Sequence, residues 1–231
     1  MKDQRTSKRK TPNTCITGTY AISFLGLTSL TSSLLVSSLL ANPSGGNVTA
    51  GDATISSSGN TLTIDQLSDR AIINWQNFSI GNGEVTQFNQ LSSSSAVLNR
   101  VVGNNLSTIH GSLQANGQVY LLNQNGILVG DTGVIQTGGF IASTHQLVDA
   151  DFLAGGNLTF APGTEGGAIV NLGQISVTGG DVFLIADQVR NEGNITATDG
   201  SVGLAAAAGA EVILTDSVSY THLTLPTTPY V

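Results

Sequence analysis

Charged, aromatic and cysteine residues are all scarce in this 231-residue chain. Charged residues make up 10% of it, against about 25% in typical soluble domains, and aromatic residues make up 5%. The single cysteine, Cys15, excludes an internal disulfide framework. Hydrophobic residues nevertheless account for 40%, which excludes a disordered polyelectrolyte. With 28 glycines, the composition disfavours a helical bundle and favours an all-β protein with many turns.

Lysine is absent after Lys10, and most of the positive charge lies in the first ten residues. After Asn42 the basic residues are Arg70, Arg100 and Arg190, and the formal net charge of the chain is -7. A nucleic-acid-binding protein needs clustered Lys and Arg side chains to displace counterions from phosphates. The sequence therefore excludes nucleic acid as a partner.

The N-terminal residues have the pattern of a signal peptide. A basic head precedes the apolar stretch Ile16–Ala41, which carries no charge and ends in a small residue of the kind that signal peptidases require. Asn-Pro at 42–43 then ends any helix. A permanent membrane anchor is the alternative, because the stretch is long enough to span a bilayer. We predict a signal peptide over residues 1–41, which leaves an exported chain without cysteine.

A repeat with a spacing of 20 residues lies near the C-terminus. The segment Asn171–Ala186 recurs as Asn191–Ala206, and a looser copy begins at Gly111. Within each copy the apolar residues alternate as in half-buried strands, and glycine-containing pairs mark the turns. The recurring residues are Asn171/Asn191, Gly173/Gly193, Ile175/Ile195, Gly180/Gly200, Val182/Val202, Leu184/Leu204 and Ala186/Ala206.

A repeat of this length, made of short strands and tight turns, is typical of one rung of a solenoid. The L-x-x-L-x-L-x-x-N pattern of leucine-rich repeats and the G-G-x-G-x-D pattern of calcium-binding repeats are both absent. The repeat therefore predicts a parallel β-helix over residues 42–217, with roughly eight to nine rungs. The pairs expected to stack inward are Ile175 over Ile195, Val182 over Val202 and Leu184 over Leu204.

Several motifs before the repeat occur in a family-specific order. They are Gly45–Ile55, Ile73–Ile80 followed by Phe88, Leu98–Gly103, Ile109–Ile127 and Thr137–Thr144. Together they resemble the N-terminal secretion domain of the filamentous haemagglutinin family, the exported partner in two-partner secretion (TPS). The resemblance extends from about Ala41 to Ser217.

This resemblance implies an all-β fold: a right-handed parallel β-helix with an N-terminal cap of antiparallel strands. It also implies export by the Sec machinery, recognition in the periplasm by an outer-membrane transporter barrel with POTRA domains, and a secreted or cell-surface location. The implied function is that of a secretion-targeting domain of a truncated adhesin-like exoprotein, which nucleates β-helix folding outside the cell. Any host-surface or cell-surface ligand belongs to the downstream region of such an exoprotein.

One family signature, N-P-N-G-I, corresponds here to Asn123, Gln124, Asn125, Gly126 and Ile127. Gln124 lacks the fixed φ of proline, which puts the rigidity of the turn in doubt. We predict that the transporter reads this turn. The alternative is a purely structural role, because Asn-Gly is a common tight-turn dipeptide and Ile127 can point inward.

Two further predictions concern the ends of the domain. Trp75 and Phe78 stand three residues apart after an apolar pair, and we predict that they fill the core near the cap together with Phe88. Residues 218–231 break the repeat, contain two prolines and lack glycine. We predict that they form a non-native or artefactual tail, and a natural linker is the alternative.

A polysaccharide-acting β-helix enzyme is the alternative function. Lyases need a basic side chain near bound calcium, and hydrolases need paired carboxylates. Asp149 and Asp151 would share one strand face, with His145 close by. Three Arg and no Lys after Asn42 make a lyase site poor, and the acidic pair is equally a charged loop edge, so we predict no catalytic residue and no cofactor. His110 and His145 lack the spacing and cysteine partners of a metal site, so none is predicted.

Overall fold

The computed structural model describes residues 42–207, 210–213 and 222–224. They belong to one compact unit, Ser37–Val231. The predicted signal peptide and most of the predicted tail therefore lie outside the described residues. Within the described ranges, no helix is long and apolar enough to cross a membrane.

Short strands joined by turns make up almost all of the described chain. The elements in chain order are β1 (Asn47–Ala50), β2 (Ala53–Ser58), β3 (Thr61–Gln66), β4 (Arg70–Trp75), β5 (Val85–Asn89), β6 (Ala96–Val101), β7 (Ser107–Ile109), β8 (Ser112–Ala115), β9 (Gln118–Leu122), β10 (Ile127–Val129), β11 (Val134–Thr137), β12 (Gly139–Ser143), β13 (Gln146–Leu147), α1 (Asp149–Ala154), β14 (Leu158–Ala161), β15 (Ala168–Asn171), β16 (Gln174–Thr178), β17 (Val182–Ala186), β18 (Gln188–Asn191), β19 (Asn194–Thr198), β20 (Val202–Ala206), β21 (Ala210–Ile213) and β22 (His222–Thr224).

Three sheets form the faces of the solenoid. Sheet 1 has the strand order β1-β4-β6-β9-β12-β17-β20, sheet 2 the order β2-β3-β5-β8-β11-β16-β19, and sheet 3 the order β7-β10-β15-β18. All neighbours pair in parallel except at the N-terminal end, where β1 pairs antiparallel with β4 and β2 with β3. The predicted parallel β-helix with an antiparallel N-terminal cap is therefore confirmed.

The number of rungs is lower than the sequence predicted. Sheets 1 and 2 each contain 7 strands, of which the first belongs to the cap, instead of eight to nine rungs. The prediction divided the length of the segment 42–217 by the repeat length, as if every residue in it belonged to a rung. Residues 146–161 leave the solenoid to form β13, α1 and β14, and they add no rung.

The predicted register of the 20-residue repeat is confirmed. Ile175 pairs with Ile195, Val182 with Val202 and Leu184 with Leu204. The side chains of Ile175, Val182 and Leu184 are buried in the inner core. Leu204 faces the same way but is 47% exposed, because it lies on the last described rung of sheet 1. The same inward position therefore has different burial in the middle of the stack and at its end.

A column of glycines marks the turn before four consecutive strands of sheet 2. Gly111, Gly133, Gly173 and Gly193 precede β8, β11, β16 and β19, which lie side by side. At Gly173, an added Cβ would lie 2.4 Å from the carbonyl oxygens of both Gly130 and Gly133 on the preceding rung. The turn backbone of one rung thus packs directly on that of the rung before it, which leaves no room for a side chain.

The segment β13-α1-β14 covers the outer face of sheet 1 and forms a second core there. Phe152 of α1 is fully buried, and its ring meets that of Tyr120 edge-to-face at 5.2 Å. Arg70 donates from Nη1 to the carbonyl of Phe152 at 2.9 Å, and its guanidinium lies 5.3 Å from the centroid of the Phe152 ring. Arg100 donates from Nη2 to the carbonyl of Leu147 at 2.9 Å. The sequence did not predict this insertion.

Burial of Tyr120 in the second core raises the pKa of its hydroxyl to about 12. Desolvation is the main cause of the rise. The positive charge of Arg70 lowers the pKa, and the negative charge of Asp181 raises it further. We expect the tyrosinate absorbance to show a group that ionises near pH 12 in wild type and is missing in Tyr120→Phe. The folded protein binds the hydroxyl proton more tightly than the unfolded chain, whose pKa is 10.0. The stability that Tyr120 contributes is therefore fully present below pH 10 and is lost as the pH rises through about 12. If the difference titration of folded protein had its midpoint near pH 10, with circular dichroism unchanged, Tyr120 would not be buried as described.

Candidate functional site

The segment Asn123–Ile127 is the turn between β9 of sheet 1 and β10 of sheet 3. The Gly126 N–H donates to the Asn123 carbonyl at 3.1 Å, which closes the turn. Ile127 is 1% exposed and pairs with Ile169 and Ser107 on the neighbouring rungs of sheet 3. The turn is therefore continuous with the inner core at its C-terminal end.

Asn123 is an internal connector between rungs. Its side chain is buried, and Nδ2 donates to the Asn105 carbonyl and to Ser107 Oγ, each at 2.9 Å. Its Oδ1 accepts from the backbone N–H of Asn125 at 3.0 Å. A buried amide with these partners stabilises the stack, because its loss would leave the partner groups unsatisfied.

Asn125 and Gly126 fix the tip of the turn. Asn125 Nδ2 donates to the carbonyl of Gly103 and to Asn123 Oδ1, each at 3.0 Å. Gly126 has φ +112°, a left-handed conformation that L residues rarely adopt. A Cβ there would also lie 2.9 Å from the Ala168 carbonyl oxygen. The structure of the turn therefore explains both residues: the Asn125 side chain makes its hydrogen bonds, and only glycine fits at position 126.

Gln124 replaces the proline of the family signature, and a side-chain contact holds it. Its Oε1 accepts from the backbone N–H of Thr164 at 3.3 Å and from Thr164 Oγ1 at 3.2 Å. This contact joins the turn to the loop before β15 and restrains it from outside. The sequence could not indicate Thr164, because it lies 40 residues away and outside the repeat.

The accessible part of the turn is small. Gln124 and Asn125 are half-buried, whereas Asn123, Gly126 and Ile127 are buried. The loop beside it exposes two apolar side chains, Val102 and Leu106, at 48% and 42%. In the folded domain the polar groups of the turn are thus largely occupied by other parts of the same chain. The predicted role of the turn in recognition by the transporter stays a prediction.

Trp75, Phe78 and Phe88 lie in the inner core at the capped end. All three side chains are at most 1% exposed, and Trp75 and Phe78 meet edge-to-face at 5.7 Å. Trp75 Nε1 donates to Asn99 Oδ1 at 2.9 Å, which satisfies the indole N–H in the interior. These aromatic residues close the space between the first rungs rather than form a ligand surface.

The acidic pair considered for catalysis is not arranged as the sequence suggested. Asp149 and Asp151 lie on α1 and not on a strand, so their i, i+2 spacing does not put them on one face. Asp149 forms an ion pair with Arg100. His145 is buried and its Nε2 lies 3.2 Å from Asp187 Oδ1 instead. Among the described residues, no three His, Cys, Asp or Glu side chains come together as metal ligands do.

The geometry is that of a capped solenoid with an asparagine-rich turn, and comparison with known proteins identifies the family. A family model, the TPS secretion domain, matches residues 40–226. The chain belongs to this family. The TPS domain is the secretion domain of a two-partner-secretion exoprotein, so the resemblance read from the sequence motifs is confirmed.

Two relatives from Haemophilus influenzae support the assignment. A heme/hemopexin-binding protein is 37% identical over 182 residues, which cover 76% of this chain and 20% of that protein. The crystal structure of the HMW1 secretion domain has a TM-score of 0.73 and 38% identity, covering 79% of this chain and 49% of that one. The chain thus spans about a fifth of the first relative and about half of the second.

The filamentous hemagglutinin secretion domain shares the fold of the TPS domain described here. Its crystal structure has a TM-score of 0.54 at 16% identity, over 80% of this chain and 69% of that one. The family is one of secretion domains and not of enzymes, so the polysaccharide-acting alternative gains no support from it. Membership implies an outer-membrane transporter as partner and a secreted exoprotein.

Proposed function

We propose that this TPS domain targets its exoprotein to the transporter through the segment Asn123–Ile127, read before that segment folds. The proposal rests on one observation: in the folded domain, the hydrogen-bonding groups of the turn are already bonded to other residues of the same chain. The amide groups of Asn123 and Asn125 bond to Asn105, Ser107 and Gly103 of the same chain. In an unfolded chain the same amides are available to a partner, so recognition and folding use the same groups at different times.

The proposed route begins with Sec export and cleavage near Asn42. POTRA domains of the transporter then meet the chain in the periplasm, before the barrel passes it across the outer membrane. Because the only cysteine is Cys15, no disulfide can form within the chain and obstruct its passage. The adhesive activity that we propose for the exoprotein belongs to its downstream region.

Outside the cell, the domain is proposed to nucleate the β-helix. Each strand of the three sheets pairs with the strands of adjacent rungs, so each new rung finds its partners on the rung that precedes it in the chain. Such contacts permit folding in the order in which the chain emerges. The antiparallel cap of β1 and β2 gives the first parallel rung a partner on its N-terminal side. Free energy released by each added rung would oppose backward movement of the chain.

The test compares Asn125→Ala with Asn171→Ala in a strain that carries the cognate transporter. We expect about tenfold less secreted protein for Asn125→Ala, the effect of losing about 1.4 kcal/mol of recognition. Asn171 is the control, because it is a buried amide at the end of β15 whose Nδ2 donates to Asn191 Oδ1 at 2.7 Å and whose Oδ1 accepts from the Gly173 N–H at 3.2 Å, outside the turn. Denaturant unfolding of both purified variants measures the stability that each loses.

If secretion falls in both variants in proportion to lost stability, the turn is purely structural. Binding of the isolated POTRA domains to urea-unfolded and to folded chain separates the two proposed states, since we expect binding to the unfolded chain alone. N-terminal sequencing of the secreted wild type checks the proposed cleavage: the sequence should begin near Asn42, and retention of Met1 would contradict it.

A further inference from the structure

The outer face of sheet 2 carries a column of carboxamide side chains. Gln87, Gln114 and Gln136 occupy the same register position on β5, β8 and β11, and Ser176 continues the column on β16. Neighbouring strands in a sheet are about 4.8 Å apart, so the amide groups repeat at that interval along the solenoid axis. The column provides a regular row of hydrogen-bond donors and acceptors.

Two contiguous grooves follow this column. One has a volume of about 510 Å³ and the other about 410 Å³, and they share Ala115, Asn116 and Gln136 as lining residues. Both are shallow and open to solvent, so they could hold an extended chain along the surface and could not enclose a small molecule. Together they form an elongated depression across β5, β8, β11 and β16, which we call the amide groove.

Hydrogen bonds hold several amides of the groove in place. Asn116 makes a pair of bonds with the backbone of Gln90: its Oδ1 accepts from the N–H at 2.7 Å, and its Nδ2 donates to the carbonyl at 2.8 Å. Gln87 Nε2 donates to Asn89 Oδ1, and Gln114 Nε2 donates to Ser112 Oγ, each at 3.0 Å. These bonds orient the two glutamines and leave their Oε1 atoms without a protein partner among the described residues.

The lining of the amide groove contains no charged side chain, although the chain as a whole has a net charge of -7. Phosphate, sulfate and carboxylate groups are bound by Arg and Lys, which are absent from the lining. Carboxamides both donate and accept hydrogen bonds, as sugar hydroxyl groups do. The lining therefore matches a neutral, hydroxyl-rich chain whose units repeat on the scale of the rungs.

We propose that the amide groove binds a neutral oligosaccharide, laid along the solenoid axis so that successive sugar units contact Gln87, Gln114 and Gln136. The groove binds and does not cleave, because hydrolysis needs two carboxyl groups across the glycosidic bond. One carboxylate, Asp65, contacts a lining residue at the edge of the groove, where it accepts from Asn89 Nδ2 at 2.7 Å. The site goes beyond the proposed recognition by the transporter, because the turn Asn123–Ile127 joins sheets 1 and 3 instead.

Titration of the isotope-labelled full chain with neutral hexasaccharides of glucose, mannose, galactose and xylose tests the proposal. We expect saturable binding with a dissociation constant of about 1 mM, and shifts of the side-chain NH₂ resonances of Gln87, Gln114 and Gln136. The double variant Gln114→Ala/Gln136→Ala should bind at least about tenfold more weakly, at unchanged unfolding free energy. Gln174→Ala is the matched control, because Gln174 is exposed on the same sheet outside the groove, and it should bind as wild type does.

Three results would overturn the proposal. The first is no saturable binding of any neutral hexasaccharide up to about 10 mM. The second is equal binding by wild type and the double variant, which would place the ligand elsewhere. The third is a preference for uronic-acid oligosaccharides that disappears with added salt, which would identify an ionic site. All three are measured without the transporter, so they are independent of the secretion experiment.

Discussion

Truncation of Leu184 to Ala should lower the free energy of unfolding by about 2–5 kcal/mol. Leu184 is 1% exposed and lies between Ala142 on β12 and Leu204 on β20. Removal of its side chain leaves a cavity inside the stack, because the rungs on either side are fixed by backbone pairing. Leu204→Ala should cost less, since Leu204 is already 47% exposed. Urea unfolding of the purified variants gives both values.

Thr196→Ala is the control for this comparison. Thr196 is exposed on β19, and its replacement should change the unfolding free energy by about 0.5 kcal/mol at most. A loss at Thr196 as large as that at Leu184 would mean that the inward face has been assigned wrongly. The register of the repeat would then be wrong as well.

Substitution of Gly173 by Ala should destabilise the domain by about 3 kcal/mol. The added methyl would lie 2.4 Å from the carbonyl oxygens of Gly130 and Gly133, both of which belong to the backbone and cannot rotate away. The rung would have to separate from its neighbour, which lengthens the hydrogen bond from the Gln174 N–H to the Gly133 carbonyl, now 2.9 Å. Thermal and urea unfolding measure the loss.

Gly156→Ala is the matched substitution at an open position. Gly156 follows α1, is exposed, and has no atom within 4 Å of an added Cβ. Its replacement should be neutral or should stabilise the domain by about 0.4–1 kcal/mol, because alanine reduces the freedom of the unfolded chain. Equal losses for the two variants would show that glycine flexibility, and not close packing of rungs, determines stability at Gly173.

The solenoid could be predicted from the sequence because stacking repeats the same environment every 20 residues. Asn171 and Asn191 show this directly: they pair in sheet 3, and the side chain of one donates to that of the other at 2.7 Å. Identical residues at this spacing therefore indicate which residues pair between neighbouring rungs. The N-terminal cap was predicted by family resemblance, since β1 and β2 do not share the repeat.

The insertion on sheet 1 could not be predicted from this periodicity. Asp149, Asp151 and Phe152 belong to a short helix whose partner is the outside of a sheet formed elsewhere in the chain. One signal was present, because Val182–Ala186 is apolar at every position and all five residues are buried. A strand that is apolar on both faces is covered on both faces. The alternation of Val182 and Leu184 accounts only for the inner face of this strand.

For the candidate site, the sequence indicated the turn but not its partners. Asn-Gly at 125–126 predicts a tight turn, and Gly126 adopts the expected positive φ. The acceptors of Asn123 and Asn125 lie 18 and 22 residues earlier, on the preceding rung. Contacts across rungs depend on loop lengths, which vary outside the clean repeat, so no spacing rule could locate them.

The insertion also gives the folding reaction a late step of a different kind. Arg70 of β4 bonds to Phe152, 82 residues further along the chain, and Arg100 of β6 bonds to Leu147, 47 residues further along. Rung addition closes short loops, whereas docking of α1 closes a long one and cannot begin until residue 152 is available. We therefore expect amide-exchange protection of sheet 1 to appear in two phases. The strands of sheet 1 that the insertion covers should gain full protection only in the second phase, when α1 docks.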